Sequence, residues 1–340
     1  MRRWIGWIVF LCLLAASAVI CAIRWQAWFG NPAEPEWTGE TINHQFITLD
    51  NDSVLAALQQ DTLSFVLLGD IHNSLSQEDM RLISERHPEV QLWAQLGDWM
   101  ERPYHYYEQM IYQSLAGTRL DSLPVVAIPG NHEHLKGLKK QLPEQWKTIF
   151  PNPQNGPARF VGTSYYVDFP QMRLIALDTD GLFRMSDYTQ VVFWLKNALR
   201  EAGNKFTIVM MHHPVYSTAE GRCNPLMWLA FRDAMREADV VFSGHDHNYA
   251  RRTEYYRARF WKKEEPTTFI ATNASNKTYP VKSKVNYDAS FSGEPVYQYI
   301  TVNPNTLHIS TYKLTSYELI DDVNIFAIRE RNDITYKNGE

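Results

Sequence analysis

Cysteine is scarce in this 340-residue chain: Cys12, Cys21 and Cys223 are the full complement. Two of them lie in an apolar N-terminal stretch, so no disulfide can form within the remainder, and a small disulfide-stapled fold is excluded. A lone Cys such as Cys223 is by default a small apolar residue, not a nucleophile. An excess of positive charge is missing too. Lys and Arg total 33 against 38 Asp and Glu, a formal net charge of −5 with a pI of about 6.1. Binding a phosphate backbone needs a clustered basic field, so no dedicated nucleic-acid binding is expected. Internal repeats and low-complexity tracts are absent as well. What is present is apolar material, at 45% hydrophobic and 21% charged residues, which is enough for a real core and excludes a disordered chain. The length suits one large α/β domain with an appendage.

Charge is also missing from residues 4–23. Arg2 and Arg3 precede this run, Trp4 and Trp7 mark one end, and Trp25 and Trp28 follow the other. As a helix the run is about 30 Å long, enough to cross a hydrocarbon core between interfacial aromatics. Between Arg24 and Arg81 there is no Lys or Arg, while Glu34, Glu36 and Glu40 come early. That asymmetry puts the N-terminus inside and the bulk of the chain outside. The competing reading is a signal peptide cleaved near Ala16-Ser17-Ala18. Both readings export the chain: membrane-anchored on the periplasmic or extracellular side, or secreted if residues 1–18 are removed. The chain divides into an anchor or signal (1–24), a linker with an outer strand at 44–49 (25–60), a main domain (61–330) and a tail (331–340).

Within the main domain, short apolar runs rich in Val, Ile and Leu fall at 65–68, 90–96, 125–128, 174–177, 208–211 and 240–242. They read as buried strands, and 164–169 alternates like a half-exposed one. Helical stretches fall between them at 76–86, 104–115, 185–199 and 225–236, the last opened by Asn224-Pro225. Strands alternating with helices predict a layered α/β domain. Residues 295–309 and 318–328 read as hairpin strands closing a sheet.

The loops after these strands are where the chemistry collects. They read Gly69-Asp70-Ile71-His72, Gly97-Asp98, Gly130-Asn131-His132-Glu133-His134, His212-His213-Pro214 and Gly244-His245-Asp246-His247. Seven of the eleven histidines lie in them. The carboxyl ends of strands in an open α/β sheet share one edge, so these side chains are expected to converge. Carboxylates, an amide oxygen and imidazoles suit first-row divalent metals, with ligands enough for two ions and one bridging carboxylate.

This ordered set of loops resembles the calcineurin-like metallophosphoesterase superfamily, with Asp-x-His, Gly-Asp, Gly-Asn-His-Asp/Glu, a His after a strand, and Gly-His-x-His all present. The resemblance runs from about residue 64 to 252. It is similar to the purple acid phosphatase-like branch in the stretches 164–166, 174–179, 211–216 and 244–249, the last ending at Tyr249. It implies a four-layer α/β/β/α sandwich behind the N-terminal transmembrane helix. It also implies one ion on Asp70, His72 and His247, a second on Asn131, His212 and His245, Asp98 bridging both, and His132 off the metals as general acid. One departure stands out. The iron-binding tyrosine of purple acid phosphatases is replaced here by Glu101, while His72, which that branch usually lacks, is present. A purple tyrosinate-bound iron is therefore not expected, and the ions would be Mn, Zn or Fe(II).

The chemistry so implied is hydrolysis of a phosphate ester by a hydroxide bridging two ions, with His132 protonating the leaving alkoxide. The substrate expected is a phosphorylated small molecule or lipid: a phosphomonoester by the acid phosphatase likeness, with a diester of a nucleotide or lipid headgroup as the alternative. A non-catalytic membrane-anchored receptor or scaffold with structural metals is the rival of another class. Around the site, Glu133 orients an imidazole or a ligand, or else caps a helix. His134 is a candidate pocket wall. His213 meets substrate or pairs with backbone. Tyr249 is a candidate neighbour of the substrate. The basic, aromatic run from Arg251 to Lys263 reads as a substrate-holding loop or as a solvated or lipid-facing hairpin.

Overall fold

In a computed structural model, the structure describes residues 45–102, 107–135, 142–255 and 266–327. The apolar run at 4–23 and most of the basic run after Arg252 lie outside the described residues. Among the described residues no helix is long and apolar enough to cross a membrane.

In chain order the elements are α1 (Asp52–Ala57), β1 (Leu63–Leu68), α2 (Gln77–Arg86), β2 (Leu92–Gln95), α3 (Tyr107–Leu115), β3 (Val125–Ala127), α4 (Glu144–Ile149), β4 (Tyr165–Asp168), β5 (Met172–Leu177), α5 (Met185–Arg200), β6 (Phe206–Met211), α6 (Pro225–Met235), β7 (Val240–Ser243), β8 (Tyr249–Tyr255), β9 (Pro266–Ala271), β10 (Ala289–Phe291), β11 (Val296–Val302), β12 (Thr306–Lys313) and β13 (Leu319–Phe326). They form two sheets. One has six strands in the order β13-β12-β11-β1-β2-β3, the other seven in the order β10-β8-β9-β7-β6-β5-β4. The strands that carry the motif loops pair in parallel: β1 with β2, β2 with β3, and β6 with both β5 and β7.

The period of a strand explains the layers. In β1, Phe65 and Leu67 join Ala94, Leu174, Ile208 and Phe242 in a core between the two sheets. Val66 and Leu68 point the other way, onto Met80 and Ile83 of α2, Ile111 of α3 and Trp146 of α4. The second sheet does the same: Ile175, Val209 and Val241 face Val191 and Leu195 of α5 and Phe231 of α6. Both faces of the central strands are thus covered, which is why their sequences run apolar without alternation.

Local signals set the helix starts. Ser76 caps α2 in a reciprocal capping box with Asp79, and Pro225 opens α6. Two expectations differ. Residues 45–48 are not a strand: they form single bonds, Phe46 N–H to Ile149 O and Ile47 O from Val125 N–H, without a ladder. The stretch read as linker is packed here: Phe46 stacks on Phe150, and Leu49 and Leu58 are buried. Asn51 opens α1 by accepting from the N–H groups of Ser53 and Val54. In the tail, 295–309 is two strands, β11 and β12, because Asn303 Oδ1 accepts from the N–H groups of Asn305 and Thr306 and turns the chain.

Candidate active site

The loops after β1, β2, β3, β6 and β7 meet at one rim. The first two are laced together by backbone: Asp70, His72 and Asn73 donate to the carbonyls of Gly97, Asp98 and Trp99 at 3.2, 3.0 and 2.9 Å. This lacing needs unusual dihedrals. Seven non-glycine residues have a left-handed φ among the described residues, and five of them are Asp70, His72, Asp98, His245 and His247. Such conformations cost energy and persist where surrounding structure over-determines them, which is typical of functional sites. The glycines of the motifs permit close approach. A Cβ on Gly130 would lie 2.3 Å from Asp98 Oδ1, and one on Gly97, at φ +83°, 2.4 Å from Gly130 N.

The side chains converge accordingly. Donor atoms of Asp70, His72 and His247 lie within 4.8 Å of one another, and so do those of Asp70, Asp98 and His212. His212 donates Nδ1–H to Leu96 O at 2.9 Å, which aims Nε2 at Asn131 Oδ1 (3.1 Å) and Asp98 Oδ2 (3.2 Å). His245 Nδ1 is 2.9 Å from the same Asn131 oxygen, and its backbone N–H donates to Asp70 Oδ1. Asp98 therefore stands between two groups of donors, with His72 Nε2 at 3.6 Å on the other side. His132 donates its backbone N–H to Asp98 Oδ1 and its Nδ1–H to Glu101 O at 2.7 Å, and Nε2 lies 3.9 Å from Asp98 Oδ2.

These groups suit divalent cations. Asp70 Oδ2 is buried without a hydrogen-bond partner. Burial, with the charges of Asp98 and Asp246 adding to it and that of His212 opposing, pushes the Asp70 carboxyl up to about 8. Burial takes His72 and His247 down to about 3 and His245 well below its ordinary value, so all three are neutral imidazoles ready to ligate. A buried pair of carboxylates beside neutral imidazoles is the donor set a dication stabilises.

The neighbours take roles that spacing did not reveal. Glu133 neither caps a helix nor touches an imidazole. Its Oε2 accepts from the N–H groups of Asp98 and Gly130 and its Oε1 from that of Trp99, clamping the second and third loops together. Glu101, noticed only as a departure, has Oε1 3.1 Å from His72 Nδ1. His213 donates its backbone N–H to Thr179 Oγ1, and its ring lies 4.4 Å from that of His245. Tyr249 is not a neighbour of the site. It is buried in the core between the sheets, and its hydroxyl donates to Asp321, which also pairs with Arg251. The first residue of β8 points inward, so its ring cannot reach the rim.

His134 is buried against Gly130 O, with Asp178 at 3.7 Å and Asp180 at 3.4 Å. Burial opposes its charge, but Asp178, Asp180 and the Gly130 carbonyl outweigh it and raise its pKa to about 9. A group raised above its unfolded value contributes fully below that value and loses its contribution as pH rises through the folded one. Stability supplied by His134 is thus complete below about pH 6.5 and fades towards about pH 9, a change of about 3 kcal/mol. In urea unfolding across this range, His134→Gln should be less stable at the acid end and should lack the fall. Parallel profiles in the two proteins would refute the assignment.

A family model described as calcineurin-like phosphoesterase matches residues 63–249. Among curated proteins, the glycerophosphodiester phosphodiesterase GpdQ of Enterobacter lignolyticus (strain SCF1) is 28% identical over 165 residues, 46% of this chain and 55% of that one. The chain thus spans about half the length of the curated relative it matches. Among solved structures, the purple acid phosphatase PPD1 from yellow lupin (Lupinus luteus) seeds superposes with a TM-score of 0.58 at 17% identity, over 79% of this chain and 54% of that one. GAP50, the anchor in the inner membrane complex of Plasmodium, gives 0.57 at 16% identity, over 80% and 91%. At such identities these two likenesses concern the fold alone.

Proposed function

The chain belongs to the calcineurin-like phosphoesterases, and on that premise we propose that it hydrolyses phosphate monoesters, with His132 as the general acid. The observation that carries this reading is the arrangement around Asp98. Asp70, His72 and His247 form one donor group, Asn131, His212 and His245 the other, and His132 stands beside them with its ring held by a backbone carbonyl. Two divalent ions held there, of Mn, Zn or Fe, supply Lewis-acid stabilisation of the charge on the phosphoryl oxygens. Asp98 spans the two groups, and His212 is locked into one tautomer by Leu96 O. Because Nδ1–H of His132 is spent on Glu101 O, Nε2–H of its imidazolium form is the proton available to the departing alkoxide. The positive charges of Lys277 and Arg222 reach His247, which favours the more highly charged monoester.

The alternative is a phosphodiesterase, favoured by the likeness to GpdQ. Export and membrane attachment are part of the proposal and rest on the residue 4–23 run. p-Nitrophenyl phosphate against its bis-ester, with metal-stripped protein resupplied with each ion, chooses between the two readings. His132→Ala should lower kcat by about 10²–10⁴ with metal content unchanged. Full turnover in that variant would remove His132 from the mechanism. Absence of turnover of either ester in the parent, with ions bound, would favour the non-catalytic receptor.

A further inference from the structure

A cleft of about 240 Å³ opens beside the centre on the His213 side. His213 and Asp180 line it together with Leu182, Tyr188, Leu226 and Met227. It is continuous with the site, since a His213 ring nitrogen lies within 4.8 Å of donor atoms of His212 and His245. Polar groups along it are already engaged. Thr179 Oγ1 is held at 3.0 and 3.1 Å by the backbone and ring nitrogens of His213, and the Asn224 amide donates to Pro214 O. Outside the cleft the apolar lining continues. Of the ten exposed large hydrophobic side chains among the described residues, five belong to two short segments beside it: Phe183, Met185, Leu226, Trp228 and Leu229. These segments lie at the amino ends of α5 and α6, and the Arg232 guanidinium covers the Trp228 ring at 3.7 Å. An apolar rim of this kind suits a hydrocarbon chain better than a sugar or nucleoside.

We propose that this cleft holds the hydrocarbon part of the substrate alcohol, so that the preferred substrates are phosphate esters of lipid type. The chain would run from the phosphoryl centre past Leu182, Leu226 and Met227 to the exposed rim. This rests on the phosphoesterase reading above and names its substrate class. Each methylene taken from water into the cleft should tighten binding about fourfold.

The test uses the full chain, metal-loaded, in lipid nanodiscs. Binding of methyl-, butyl-, hexyl- and octylphosphonate is measured by calorimetry in the parent, in Leu226→Glu and in Leu229→Glu. Leu226 and Leu229 are 56% and 61% exposed, so neither substitution disturbs a core, and thermal unfolding checks this. Affinity should climb with chain length in the parent and climb at most half as steeply, on a logarithmic scale, in the variants. Equal affinity for methyl- and octylphosphonate in the parent would overturn the proposal. So would an unchanged slope in both variants, which would place the gain in the bilayer and not in the cleft. Hydrolysis of p-nitrophenyl phosphate is followed alongside. Its absence sinks the phosphoesterase reading, whereas turnover with a flat chain-length profile sinks only the hydrocarbon cleft.

Discussion

Asp98→Asn should lower turnover about a thousandfold or more while the fold survives, because the carboxylate lies between the two sets of donors. One oxygen accepts from the His132 backbone at 2.8 Å, and the other lies 3.2 Å from His212 Nε2 and 3.6 Å from His72 Nε2. Burial opposes ionisation, but the charge of His212 and its hydrogen bond overcome it and hold this carboxyl well below its ordinary range, so it is anionic. The amide keeps the shape and removes the charge. It also turns an N–H₂ towards imidazole nitrogens or a cation. Lewis-acid stabilisation is worth several kcal/mol, and each 1.36 kcal/mol is tenfold in rate, hence about three orders of magnitude or more. Metal analysis should show fewer ions per chain than in the parent. Turnover within tenfold of the parent, with the same metal content, would mean that Asp98 does not join the two groups.

Glu133→Ala should be the most damaging single change to stability near the site. The Glu133 carboxylate is buried and satisfies three backbone N–H groups, at 2.8, 2.8 and 2.7 Å. Burial and the nearby charge of Asp98 raise its pKa, and those N–H groups oppose the rise. Alanine strands three buried donors, each costing about 1–3 kcal/mol, so a total of about 4 kcal/mol is expected. For a domain of this size that is a fall in Tm of about 10 °C, read by thermal unfolding. Glu133→Gln keeps one acceptor and should fall between the two. Because one of these bonds is to the N–H of Asp98 itself and another to that of Trp99, metal affinity should fall with stability. Unchanged melting in the alanine variant would show that water replaces the clamp.

The residues at the candidate centre were legible in the sequence because each follows an apolar run with a turn signal. Gly69-Asp70, Gly97-Asp98, Gly130-Asn131 and Gly244-His245 are local patterns, set by the need for tight turns at strand ends, and a one-dimensional pattern records them. The layered α/β class was legible for the same reason, since a helix or strand declares itself in its own period. Elements with weak local signals were not: α4 is six residues long and has no side-chain cap at Pro143, and β8 to β10 carry mixed polarity.

The division of roles was decided by tertiary structure. That Glu133 holds backbone instead of an imidazole depends on a loop from β2 lying against a loop from β3, 34 and 35 residues apart. That His134 meets Asp178 and Asp180, and that Tyr249 turns into the core against Asp321, are contacts between elements far apart in the chain. The pairing of β1 with β11, which folds the tail back beside the first motif strand, is of the same kind. The sequence by itself determined which side chains end each strand, because that information is local. Which faces they present to one another was decided only when the two sheets packed, because burial and long-range pairing set those directions.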